Sequence, residues 1–382
     1  MKLGDIFKIS SGGTPDKKKK IYYENGTIPW IKTGDLKEKF VSNDVEQITL
    51  QGLNNCSAKL FPAGTVLVAM YGATIGACSI LNYQASTNQA CAAFLPNPQV
   101  LPDYLYYFLS SRKNLFIQNG VGGAQPNISA TYLKTVPFKY VPIDVQIHII
   151  TVLDKLTTLI SLRKQQLAKL DELVKARFVE MFGDPVINPM GWKLTRLCNL
   201  GDCKNGMNFH IDDSGVEIPC LGVSDFKNIS VIDNIERLSK ISLNEMPSEE
   251  YLLKNGDIVF VRSNGNRELV GRCVTIYPND VPTTFSGFCI RFRLNTTEVT
   301  TTYLLMMLKA ESMRKKLVGR GANIQNLNQK MLSEILVTIP PLKLQEEFSF
   351  FIKQISGLKL IIQQGLDKME VLKKSLMQKY FG

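Results

Sequence analysis

Apolar positions in two stretches of this chain recur with helical spacing, and the two stretches are copies of one another. Residues 146–183 carry Leu153, Leu156, Leu159, Leu167, Leu170, Leu173, Met181 and Phe182; 199 residues further on, the same places hold Ile352, Ile355, Leu358, Leu366, Met369, Leu372, Tyr380 and Phe381. Each stretch reads as one long helix that stops at a glycine, Gly183 or Gly382. Within the first, Leu153, Ile160, Leu167, Val174 and Met181 recur every seventh residue, while Arg163 and Arg177 interrupt the line through Leu156 and Leu170. In the second, Ile355, Ile362, Met369 and Leu376 make the continuous line, and Lys359 and Lys373 interrupt the other. Spacing of this kind predicts a coiled coil, here antiparallel.

Each helix follows a segment of similar size with strand-type patterning, so the chain is a duplicated unit, head then helix, twice. Head 1 opens with Leu3-Gly4-Asp5 and head 2 with Leu200-Gly201-Asp202, each running into a glycine turn that reaches Gly12 or Gly206. Ile28-Pro29-Trp30 matches Ile218-Pro219-Cys220, and Asp35 matches Asp225. Residues 62–81 and 254–276 then read as β-hairpins, with Gly64 and Gly256 at their opening turns. Their tips differ: Tyr71-Gly72-Ala73-Thr74 in one, Arg262-Ser263-Asn264-Gly265-Asn266-Arg267 in the other. A further strand holds Ser86 to Gln89 before Cys91 in head 1, and Phe285 to Phe288 before Cys289 in head 2. One helix is expected over residues 102–114 and its partner over 302–316, followed by glycine- and amide-rich loops (120–128 and 319–327) and a strand that ends at Pro142 or Pro341.

The expected fold is α+β: two globular α/β heads separated by a pair of long helices forming an antiparallel coiled coil, with pseudo-two-fold duplication. The boundaries read as head 1 over 1–145, helix 1 over 146–183, a linker over 184–191, head 2 over 192–344 and helix 2 over 345–382. About 36 helical residues would span roughly 54 Å, so chain order places the heads at opposite ends of helix 1.

Composition narrows the function. A net charge of +11 favours a polyanionic partner. The eight cysteines and two histidines, His148 and His210, make no metal-ligand pattern; the pair Cys198 and Cys203 has no second pair nearby. Free thiols and the lack of a secretory signal point to the cytoplasm. The apolar run 65–81 resembles a membrane span, but its counterpart carries Arg262, Arg267, Glu268 and Arg272, so both read as buried strands and no membrane is expected. There is no phosphate-binding loop, no dinucleotide fingerprint, no nucleophile elbow and no Asn-Pro-Pro-aromatic segment of amino-methyltransferases. The chain reads as a non-catalytic binding protein.

Two basic heads on one spacer suit duplex DNA with two half-sites. Arg262, Arg267 and Arg320 suit guanine edges, and Asn264, Asn266, Asn323 and Gln125 suit adenine edges. Lys17, Lys18, Lys19, Lys20 and Lys32 suit phosphates, with Thr33, Tyr71, Thr74 and Asn127 as further contacts from head 1.

These features together, the paired Leu-Gly-Asp openings, Ile28 to Leu36, the hairpins, the amide loops, Gln146 and Gln345 four residues after a proline, Met181-Phe182-Gly183-Asp184-Pro185 and Asn188 to Leu197, resemble the DNA-specificity subunit of type I restriction-modification systems over essentially the whole chain. The resemblance implies that each head reads half of a bipartite site. It also implies that the helices set the unread gap and dock partners, with Leu153, Leu156, Ile160, Leu167, Leu170, Val174, Ile355, Ile362, Leu366, Met369 and Leu376 as spacer and docking positions. Implied partners are double-stranded DNA, two methyltransferase subunits and two restriction subunits. No cofactor or metal is implied in this chain; S-adenosylmethionine belongs to the methyltransferase, and ATP with magnesium to the restriction subunit. Head 2 departs from the pattern in lacking Thr-Asn-Gln of residues 87–89, which reads as framework more than readout. Three alternatives stay open: a fused restriction enzyme, for which 382 residues leave no room, a methylation-only system, and a coiled-coil scaffold without DNA readout.

Overall fold

In a computed structural model of the chain, residues 1–120, 127–209, 213–226, 229–318 and 326–382 are described. The architecture is α+β and duplicated. Two compact units divide it: Met1–Lys164 with Gln363–Gly382, and Gln165–Ile362. Each unit therefore combines one head, the nearer half of the helix that follows it, and half of the other long helix.

In the first unit, a four-stranded antiparallel sheet runs in the order Ile9–Ser11, Cys91–Phe94, Val66–Ala69, Cys78–Ile80. Both faces are covered. Val66, Val68, Ala92 and Phe94 face a core with Tyr104, Phe108, Leu133 and Leu153, while Leu67, Ala69, Cys91 and Ala93 face a second core with Ile31, Phe61 and Leu81. A sheet buried on both faces needs near-continuous apolar strands, which is why residues 65–81 resemble a membrane span. A second, four-stranded sheet pairs Ile28–Ile31 in parallel with Ala85–Thr87.

The second unit repeats this plan. Gly201–Asn205, Cys289–Leu294, Asp257–Val261, Cys273–Ile276 and Val231–Ile232 lie side by side, the last pair parallel. Ile258, Phe260, Ile290 and Phe292 face the helical core, and Val259, Val261 and Cys289 the other. Val216–Leu221 again pairs in parallel with Thr284–Phe285. Gly64 and Gly256 open the hairpins at φ 84° and 86°, a left-handed conformation that favours glycine.

The expected strand through Ser86 to Cys91 is instead two strands in different sheets. Asn88 makes the break: its side-chain oxygen accepts from Ala90 N–H at 3.1 Å and its carbonyl from Cys91 N–H. Ser286 makes the same break in the second unit, its hydroxyl accepting from Phe288 N–H at 3.3 Å. The expected single helices are also each two, Pro102–Ser111 then Lys113–Gln118, and Thr301–Lys309 then Glu311–Val318. Tyr104, Leu105, Phe108, Leu109, Leu304, Leu305, Leu308 and Met313 are buried on them. The strand expected before Pro341 forms as Leu336–Ile339 against Lys193–Arg196. Its counterpart before Pro142 makes one bridge, Lys2 to Pro137, because Leu3 already enters the short helix Leu3–Ile6 and Val136 N–H bonds back to Leu133 O.

The long helices span Ile143–Phe182 and Leu342–Phe381, 40 residues each. They start directly after Pro142 and Pro341, ahead of residues 146 and 345; Gln146 N–H and Gln345 N–H donate to those proline carbonyls. Proline at a helix start costs nothing, since the first N–H groups have no helical partner. Gly183 adopts φ 75° and donates to Val179 O at 2.8 Å, a left-handed stop.

Within each unit the two helical segments pack antiparallel. In the first, Leu153 and Phe381 share one core and Lys164 pairs with Glu370 at 2.7 Å. In the second, Phe178 and Phe182 lie 5.6 and 5.4 Å from the Phe348 ring and Lys359 pairs with Asp171. Leu153, Leu156, Ile160, Ile355 and Leu366 are buried; Leu167, Leu170, Val174, Ile362, Met369 and Leu376 are half-buried. Arg163, Arg177, Lys359 and Lys373 are half-buried as well, so the interrupted lines also belong to the seam. Burial and the Lys164 ammonium push the Lys373 amine below its ordinary value. Leu159, Leu173, Leu358 and Leu372, apolar members of the repeat, point outward. By length and composition, one helix among the described residues, Ile143–Phe182, is long and apolar enough to cross a membrane. Its Leu153, Phe178 and Phe182 are buried in protein cores.

Candidate nucleic-acid interface

Close backbone packing builds the same platform in both units. Gly12 lies so near strand Ala85–Thr87 that a Cβ would sit 1.8 Å from Thr87 O; at Gly206 a Cβ would sit 2.1 Å from Ser286 O. Only glycine fits either place. From here the backbone bonds match one for one. Gly13 N–H donates to Thr87 O at 2.9 Å, as Met207 N–H does to Phe285 O at 3.2 Å. Asn88 N–H donates to Ile31 O, and Ser286 N–H to Leu221 O. Met70 N–H donates to Ala90 O and Arg262 N–H to Phe288 O, both at 2.8 Å. Ile128 N–H then donates to Met70 O and Leu327 N–H to Arg262 O. The last contact brings the end of each amide loop beside the hairpin tip, through bridges Tyr71–Asn127 and Ser263–Asn326.

The first unit places most of its expected residues along this edge. Asp16 accepts from Lys18 and Lys19 N–H and shapes the lysine turn. Tyr23 OH donates to Pro15 O at 2.6 Å and Trp30 Nε1–H to Gly13 O at 3.0 Å, pinning that turn to the platform. Thr14 reaches Gln89 at 2.5 Å, two residues from the strand beside Met70. Lys17, Lys18, Lys19 and Lys20 are all exposed; Lys19 lies over the Tyr22 ring and Lys20 is 4.0 Å from Glu24. An exposed pair of that length contributes little. Lys32 differs, because Glu46 accepts its ammonium at 2.7 Å and raises its pKa. Thr33 sits in the short turn Thr33–Asp35, where the Asp35 carboxylate accepts from Lys32 N–H. Asp225 does the same for Gly222 N–H. Tyr71 and Asn127 are exposed, and the Thr74 hydroxyl is turned back to Tyr71 O at 3.3 Å.

In the second unit several expected readers serve the loop itself. Arg262 sends Nη1 to Gly287 O at 3.3 Å. Asn264 Oδ1 accepts from Asn266 N–H at 2.7 Å, and Asn266 Oδ1 from Glu268 N–H at 3.0 Å. Arg314 clamps the far side through Val270 and Glu268 carbonyls. Arg267 is exposed at the tip. Gln125, Arg320 and Asn323 lie outside the described residues, as does His210; His148 is exposed on its helix.

Two residues at this edge escape sequence reasoning. Phe288 is 60% exposed, and with Ser263, Asn264, Gly265 and Asn326 it lines a shallow cavity of about 200 Å³. Phe288 stands between Phe285 and the buried run that starts at Cys289, so it reads as part of a strand, and the Ser286 turn swings it outward. Asn326 ends a loop whose length hides its register. Among the described residues no group of three or more His, Cys, Asp or Glu could hold a metal ion. All eight cysteines are free thiols.

A family model described as the type I restriction modification DNA specificity domain matches residues 1–172 and 189–370. The MjaIX type I restriction enzyme specificity subunit of Methanocaldococcus jannaschii is 28% identical over 69% of this chain and 65% of its own length. The EcoR124I/EcoR124II specificity subunit of Escherichia coli is 30% identical over 41% of this chain and 40% of its own. The StySPI specificity subunit of Salmonella potsdam is 24% identical over 94% and 83%. The chain thus spans about two thirds or less of the first two relatives. In fold, it is similar to the S subunit of a type I system from M. genitalium, with TM-score 0.56, 14% identity, and 100% and 95% coverage. It is also similar to a chain solved in work on assembly and conformational transition of the type I R-M system, with TM-score 0.65, 14% identity, and 100% and 96% coverage.

Proposed function

Because this chain belongs to the type I restriction-modification DNA-specificity family, we propose that it is the subunit that selects the DNA sequence for a modification and restriction complex. Each head, within 1–145 and 192–344, reads one half of a bipartite double-stranded site. The observation that carries this reading is the platform built twice from matched hydrogen bonds, with unlike side chains at its tip. A common scaffold with different exposed residues is what two different half-sites require, since base contacts specify and phosphate contacts only position. Lys17 to Lys20 beside the first platform supply phosphate contacts.

The paired helices set the unread gap and dock two methyltransferase subunits, which bring S-adenosylmethionine. Seam residues such as Leu153 and Ile355 hold the helices together. The apolar surface left for docking includes Leu159, Leu162 and Leu372 in the first unit, and Leu173, Leu358 and Ile361 in the second. Two restriction subunits, with ATP and magnesium, complete the cytoplasmic complex. The chain itself does no chemistry.

Methylation mapping of DNA by single-molecule sequencing, after co-expression with the cognate methyltransferase subunit, tests the reading. The expected outcome is a two-part methylated motif with an unspecified gap, present only with this chain. A stable complex that adds no methylation would overturn it.

A further inference from the structure

At one place in both platforms, an aromatic residue and a small residue have traded positions. Tyr71 and Ser263 occupy the same site, each bridging the asparagine that ends its amide loop. Ala90 and Phe288 occupy the neighbouring site, each accepting the backbone bond from the hairpin, at 2.8 Å. The first unit thus offers Tyr71 with Ala90, and the second Ser263 with Phe288. Each presents one exposed ring, 43% and 60% accessible, beside one exposed asparagine, Asn127 or Asn326. The ring comes from different segments, after one strand in the first unit and before another in the second, so shared ancestry of a single position does not explain it.

Both rings are held at the backbone. Phe288 N–H donates to Ser286 Oγ, and its carbonyl accepts from Arg262 at 2.8 Å and Ser263 at 3.4 Å. Tyr71 is followed by the turn Gly72–Thr74 and is bonded back by Thr74. Neither ring packs in a core; each stands exposed beside an exposed asparagine. A carboxamide offers the donor and acceptor that match the N6 and N7 edge of adenine, and an apolar ring suits the 5-methyl group of thymine. Together the two match the chemistry that one A·T pair exposes in the major groove.

We propose that Tyr71 with Asn127, and Phe288 with Asn326, are specificity-determining pairs, each reading an A·T base pair by the thymine methyl and the adenine edge. The inference rests on the DNA-reading function above and names what its platforms recognise.

The test uses the complex with its methyltransferase subunits and the motif found by methylation mapping. Each thymine in that motif is replaced by uracil, which removes only the methyl group, and binding is measured. One thymine in each half-site is expected to lose about fivefold in affinity on replacement. That loss disappears in the second half-site for Phe288→Ala, and in the first for Tyr71→Ala, with the opposite half-site still sensitive. Because both rings are exposed, the variants keep their melting temperature. Uracil sensitivity that persists in the variants, or half-sites with no sensitive thymine, would overturn the assignment while leaving the specificity function intact. A complex that methylates no two-part motif removes the function and the inference together.

Discussion

Gln146 and Gln345 make the same three hydrogen bonds. Both are fully buried. Gln146 Oε1 accepts from Leu101 N–H at 2.9 Å, and its Nε2 donates to Gln99 O and Val141 O at 2.9 and 2.8 Å. Gln345 Oε1 accepts from Thr300 N–H at 2.8 Å, and its Nε2 donates to Glu298 O and Pro340 O at 3.0 and 2.9 Å. Each glutamine ties the first turn of a long helix to the helix of the head before it.

Replacing either glutamine by alanine removes the partner of three backbone groups, most of them part-buried, at about 1–3 kcal/mol for each one that water does not reach. Gln146→Ala is expected to lower the unfolding free energy by several kcal/mol, through the first unit, and Gln345→Ala through the second. Limited proteolysis with mass mapping checks this: cleavage should appear first in the unit that carries the substitution.

The thiols divide by burial. Desolvation pushes Cys78, Cys91 and Cys220 up to about 12, leaving roughly one part in ten thousand as thiolate at pH 8. Cys198 is exposed. Alkylation of the native protein at pH 8 should label Cys198 rapidly and these three only after unfolding. Their folded pKa values stand above the unfolded value of about 8.5, so the unfolded state loses protons first. Stability is expected to be intact below about pH 8.5 and to decline as pH rises toward 12, as followed by urea denaturation across that window.

Seam and outer-face leucines on the long helices should behave differently. Leu153→Ala removes a side chain with no exposure from the first unit's core and is expected to cost about 2–5 kcal/mol. Leu162→Glu and Leu358→Glu alter exposed positions and should leave the melting temperature within a few degrees while weakening co-purification with methyltransferase subunits. Thermal melting and pull-down, run on the same variants, separate the two effects.

Adding one heptad to both long helices preserves the apolar seam. The methylated motif is then expected to keep both half-sites and change only its gap, as read by methylation mapping. An unchanged gap would remove the spacer role. Arg267→Ala, at the tip of the second hairpin, should alter the second half-site and spare the first.

Much of this protein was determined by its sequence alone. The duplication, the two long helices, the glycine stops and the hairpins opened by Gly64 and Gly256 all follow from near-neighbour periodicity and backbone preference. Only the tertiary structure decided where side chains at turns and seams point. Arg262 looks in the sequence like an unanchored loop residue, and the structure anchors one of its guanidinium nitrogens on Gly287 O. Lys32 gives no sign in the sequence of a partner, and the structure pairs it with Glu46. Phe288 reads as part of a strand, yet the Ser286 turn exposes it between two strands. Arg163 and Lys373 look like breaks in a seam and are half-buried within it. For Arg262, Lys32 and the seam residues, contacts with residues distant in sequence decide the surroundings, and such contacts exist only once the chain has folded; the bend that exposes Phe288 is local, and only the two sheets it joins give it a direction.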